Sequence, residues 1–186
     1  MSLINYFLLI LFFGLSGNAK SQPVEEKIPW EEGILLNWED FKAPTPQNSK
    51  FKANTNAGIT YSWGLKIENV NKTLNYEVNS YFYPHLSWVE QGSKNAYLLK
   101  HEQTHFDITE LHARKLRKEL SEINSNELNQ DTRKFLNDLY KTIENERSLM
   151  QKEYDGETNH SLNKEAEVKW QKLVKEELFK LRNFRN

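Results

Sequence analysis

The hydrophobic period of this chain changes once, and that change dictates its layout. Ile59, Tyr61, Trp63, Leu65 and Ile67 alternate with Thr60, Ser62, Gly64 and Lys66, the two-residue period of a half-buried strand. After a turn at 68–73, Leu74, Tyr76 and Val78 alternate with Asn75, Glu77 and Asn79 in a partner strand that runs to Tyr83 and stops at Pro84, so an antiparallel hairpin is predicted. From Ser93 onward the period is that of helices. One helix is expected to be capped by Ser93. A second, capped by Asp131, carries Phe135, Leu136, Leu139, Tyr140, Ile143 and Met150 and is interrupted at Gly156. A third begins near Ser161 or Asn163 and carries Ala166, Trp170, Leu173, Val174, Leu178 and Leu181. Upstream, Ile34–Phe41 reads as a short strand or strand-turn and 43–50 as a loop, by its prolines and small polar residues. Strands first and helices after make an α+β fold, with N-terminal antiparallel strands followed by three long helices.

The first helix carries the chemistry. Leu98, His101, His105, Ile108 and Leu111 or His112 fall on one stripe at steps of three and four, so His101 and His105 face inward and direct their ring nitrogens at a single point. Glu102 lies beside that point. Zinc takes imidazole nitrogen at about 2.0–2.1 Å, and a catalytic site keeps a position open to water, whose pKa falls to about 7. A nearby carboxylate can then remove the water's proton and deliver it to a leaving amine. His-Glu-x-x-His supplies two metal ligands and this base.

A third ligand is required, and spacing prunes the candidates. His112 lies roughly 10 Å along the helix from His105 and cannot reach the same ion. No glycine turns the chain between them, and the spacing is one residue too long for a metzincin. His85, after Pro84, reads as a surface or loop histidine. The candidates that remain are His160 first and Asp155 second, both at the interruption in "YDGETNHS", with Glu146 and Glu153 on the second helix as a gluzincin-like alternative.

Composition closes other routes. A net charge of -1 gives no basic field for a nucleic acid or an anionic membrane surface. With no cysteine there is neither a disulfide nor a thiol nucleophile, and no Gly-x-Ser-x-Gly elbow, P-loop or dinucleotide glycine pattern is present. The apolar run Phe7–Leu15, followed by "SGNAKSQ", reads as a secretory signal peptide over 1–21, cleaved after an A-x-A-like site at Ala19 and Ser21. It is too short for a permanent membrane anchor. Residues 22–186 then form a single domain, with 22–33 as a polar N-terminal linker, in a secreted or periplasmic protein.

"LLKHEQTHFDITELHARKL", "YDGETNHS" and "EVKWQKL", with the upstream "LNWEDFKAP" and "SWV", resemble the bacterial family called domain of unknown function 922, whose members are predicted secreted zinc-dependent proteases. The likeness covers about Ile34 to Leu173. Its tyrosine-aspartate and threonine-x-histidine pattern falls on Tyr154, Asp155, Thr158 and His160, and Ser161 stands where a glycine usually follows that histidine. The resemblance implies a zincin-like fold and peptidase chemistry. Both lines together give an expected site in which His101, His105 and His160 hold zinc and Glu102 activates water. Asp155 orients a ligand histidine through its other nitrogen, and Tyr154 donates to the oxyanion. The partner is a peptide or protein substrate, an extended segment of which adds to an edge of the hairpin. The competing readings are an exported zinc-binding or scaffold protein without turnover and an amidase acting on cell-wall peptide.

Overall fold

A computed structural model describes residues 26–69, 71–128 and 131–186; the expected signal peptide lies outside the described residues. The strands are β1 (Ile28–Pro29), β2 (Ala53–Asn54), β3 (Ala57–Glu68), β4 (Asn71–Phe82) and β5 (Trp88–Val89), followed by the helices α1 (Ala96–Ser121), α2 (Thr132–Thr158) and α3 (Lys164–Lys180). The fold is therefore α+β, with short antiparallel sheets ahead of three helices.

The period-two segments form the expected hairpin. β3 pairs with β4 over their whole length, Ala57 opposite Phe82 and Glu68 opposite Asn71, and the turn is closed at Asn69, which takes a left-handed φ of 55° as asparagine tolerates. Ile28 and Pro29, at which the sequence reading places linker, add to the far edge of β4, giving the order β1-β4-β3. β2 and β5 form a separate two-stranded ribbon.

One buried layer of the hairpin, Ile59 and Val78, packs against Ala113, Leu116 and Leu120 of α1 and Leu136 and Ile143 of α2. α2 returns alongside α1, so that residues 151–155 come to stand beside 101–105. α3 closes the other side through Trp170 and Val174, which meet Ile108 and Tyr154. At roughly 25 cal/mol per Å² of apolar surface removed from water, these clusters fix α1 as the central helix.

Three local readings are corrected by the structure. Ile34–Phe41 is not a strand: Asn37 accepts from Glu39 N–H while Asp40 accepts from Asn37 N–H, winding Trp38–Asp40 into a single 3-10 turn because short polar side chains compete with strand ladders for the backbone. The cap of α1 is Asn95, whose Oδ1 accepts from Leu98 N–H at 2.9 Å; Ser93 Oγ bonds Glu90 instead. α2 runs through Gly156 to Thr158, since one helical glycine costs only about 1 kcal/mol. It stops where Asn159, His160 and Ser161 take φ values of 49°, 52° and 71°. Asn163 then caps α3 by accepting from Ala166 N–H.

Candidate metal centre

His101 and His105 lie one turn apart on α1, and their Nε2 atoms stand 3.2 Å from each other. Asp155 enters from α2 and places Oδ1 3.1 Å from His105 Nε2 and 3.4 Å from His101 Nε2. Donors about 2.0–2.1 Å from one ion at tetrahedral angles stand about 3.3 Å apart. The three atoms thus already have the mutual spacing of a coordination shell, and they form the one such donor group among the described residues.

The far sides of both rings are fixed. His101 Nδ1 is 2.5 Å from Glu167 Oε1 on α3, and His105 Nδ1 bonds Gln151 Oε1 on α2. The Gln151 amide is oriented by its own Nε2, which donates to His105 O at 2.9 Å, so its oxygen is left to accept. Each Nδ1 therefore carries a proton, and each ring turns its Nε2 toward the Asp155 carboxylate. Three acceptors facing one point require a cation, either a proton or a metal ion.

The charges agree with this. Burial works against a charged His101, yet the Asp155 and Glu167 carboxylates outweigh it and push the His101 pKa up to about 9. Burial likewise works to raise Asp155, but the His101 and His105 imidazoles hold it well below the usual carboxylate range. Glu167 is lowered on the same pattern, burial opposed by the His101 and Tyr154 hydrogen bonds. Glu102 is 3 % exposed, and its Oε2 has no hydrogen-bond partner. Glu102 and Asp155 thus share a pocket, with Glu167 behind His101, and its donor set of two imidazoles and one carboxylate fits a divalent cation.

The group opens onto a cleft of about 220 Å³. Residues 51–55, around β2, form one wall, and His101, Glu102, His105, Gln151, Asp155 and His160 line the other side. His160 follows the end of α2, where the left-handed run aims its ring back over the cleft. Its Nδ1 is 3.4 Å from Asp155 Oδ1 and its ring lies 4.5 Å from that of Phe51. The structure therefore gathers His101, His105 and Asp155, with His160 one contact further out and outside the donor group. Asp155 faces the Nε2 atoms of both rings, as its place as second candidate for the third ligand would require, and not their outer nitrogens.

The other candidates fall elsewhere. Tyr154 is fully buried and donates to Glu167 Oε2 at 2.7 Å, so its hydroxyl braces the centre and does not reach the cleft. His112 is buried with Nδ1 on Ile108 O, His85 pairs with Glu26 at the surface, Glu146 lies against Lys115, and Glu153 is exposed. Gln151 and Glu167, the first residue of "EVKWQKL", are given no role in the sequence reading. The available signal for Glu167 was a carboxylate on the stripe of Trp170 and Val174, where a core residue is expected.

A family model described as bacterial protein of unknown function (DUF922) matches residues 38–161. No curated protein and no solved structure matches the chain.

Proposed function

The chain belongs to the family of bacterial proteins of unknown function DUF922, and from that membership and the centre described above we propose that it is an exported zinc metallopeptidase of zincin-like architecture. The observation that carries the proposal is the meeting, on one open cleft, of a three-donor group short of a cation with a buried carboxylate oxygen short of a hydrogen-bond donor. Two imidazoles and one carboxylate are a donor set that zinc takes in catalytic sites. Zinc held there would supply Lewis acidity, polarising a peptide carbonyl and lowering the pKa of water at its open position to about 7.

The protein's own groups do the rest. Glu102 accepts the attacking water's proton at Oε2 and delivers it to the leaving amine nitrogen. Glu167 and Gln151 hold the two rings so that both Nε2 lone pairs stay aimed at the cation. His160, half exposed over the cleft, is placed to donate to substrate. The edge that receives an extended peptide is β2 and not the hairpin: the Ala57 and Ile59 carbonyls on the open side of β3 are already taken by Arg147 and Tyr140 of α2. Just outside the β2–β5 ribbon, Lys52 O accepts from Glu90 N–H. By strand alternation the polar backbone of Ala53 then turns to the other side, where the cleft lies. The N-terminal apolar run supports export to the periplasm or beyond, and no helix among the described residues is long and apolar enough to cross a membrane.

The test is metal content and cleavage of an unstructured protein by the wild type beside Glu102→Gln. One zinc per chain in both, with cleavage reduced by at least about 10²-fold in the variant, is the expected result. Cleavage untouched by the substitution refutes Glu102 as the base; zinc in both forms and cleavage by neither leaves a binding module.

A further inference from the structure

The carboxylate behind His101 comes from outside the segment that the family model matches: Glu167 lies on α3, beyond residue 161. It is 1 % exposed. Three groups converge on it: His101 Nδ1 at 2.5 Å, Tyr154 Oη at 2.7 Å and Gln171 Nε2 at 3.1 Å. Trp170 and Val174 dock the helix by an ordinary apolar face, Arg114 of α1 donates to Leu178 O and Lys164 lies over the Tyr97 ring, but among the described residues its one side-chain ion pair with α1 ends on a histidine of the donor group.

Burying a carboxylate is unfavourable unless positive charge compensates it. A divalent cation on the Nε2 side of His101 draws density from the ring and makes Nδ1–H a stronger donor to Glu167. The carboxylate in return raises the basicity of Nε2 toward the cation. Free-energy coupling of this kind is reciprocal. Resting on the reading that His101, His105 and Asp155 take a metal, we infer that Glu167 is a positioning residue that couples metal binding to the docking of α3, so that the metal clamps this helix. Gln151 makes the corresponding contact to His105 with a neutral amide and carries no such charge coupling.

One factor must then appear in two measurements. Loss of the Glu167 carboxylate weakens zinc binding by about 10–100-fold, and saturating zinc slows the opening of α3 by about the same factor. The experiment uses the full chain as wild type, Glu167→Gln and Glu167→Asp. Zinc affinity is read by competition with a chromophoric chelator, and hydrogen exchange is read by mass spectrometry in zinc and in chelator. In the wild type zinc slows exchange across 164–180; Glu167→Gln binds zinc more weakly and loses the zinc-dependent part of that protection. Glu167→Asp keeps the charge and falls between the two, which distinguishes lost coupling from misfolding. Unchanged zinc affinity in Glu167→Gln overturns the inference, as does zinc protection of 101–105 and 151–155 without 164–180. A wild type that takes up no zinc overturns the metal reading itself, and is recognised before any variant is compared.

Discussion

Two buried histidines on one helix should respond oppositely to acid, and His112 gives the cleaner test. It is 1 % exposed, its Nδ1 donates to Ile108 O, and Lys115 Nζ donates to its Nε2 at 3.4 Å. No carboxylate among the described residues partners it. Burial, with Lys115 and Arg147 adding like charge, pushes its pKa down to about 4 from an ordinary 6.5. A folded-state pKa below the unfolded value means that the neutral ring's contribution is fully present above about pH 6.5 and is lost as pH falls toward 4. At 1.36 kcal/mol per unit, the loss attributable to this group is about 2 kcal/mol by pH 5 and about 3 kcal/mol by pH 4. His101 runs the other way in metal-free protein, because its raised pKa keeps its contribution present in acid. The contrast is isolated by measuring urea unfolding in chelator from pH 8 to pH 5 for the wild type and His112→Gln. The wild type should lose about 2 kcal/mol more than the variant over that range. Parallel stability curves would refute the argument that burial without an acidic partner governs this ring.

Other expectations follow from the same geometry. Asp155→Ala should weaken zinc binding far more than His160→Ala, since only Asp155 stands within shell spacing of both Nε2 atoms; the reverse order in a chelator competition would return the third position to His160. Ser161→Gly should raise the urea midpoint, because a non-glycine residue at φ 71° costs about 1–2 kcal/mol, of which glycine's greater unfolded entropy cancels about half. A lower midpoint would show that the left-handed run is not strained. Leu116→Ala, at a fully buried position between the hairpin and α2, should cost about 3 kcal/mol in chemical denaturation without moving zinc affinity.

What could be read in the sequence was local. The alternation around Ile59 and Val78 makes a hairpin, and the 3.6-residue stripe of α1 places His101 and His105 on one face, because backbone geometry alone sets both periods. Boundaries were read less well wherever a side chain competed for the backbone: Asn37 and Asp40 wind a turn in place of a strand, and Asn95 caps α1 in place of Ser93. Gly156 looked like a break, yet the chain leaves α2 three residues later, in a left-handed run that composition does not announce.

The histidine pair on α1 and the glutamate beside it were therefore fixed by the order of residues along one helix. The completion of the donor group by Asp155, the bracing of His101 by Glu167, and the capture of the Ala57 carbonyl of β3 by Arg147 of α2 were decided only when three helices packed. Those contacts span 50, 66 and 90 positions of chain, and over such separations it is the burial of apolar faces between helices that determines which polar groups are brought within reach of one another.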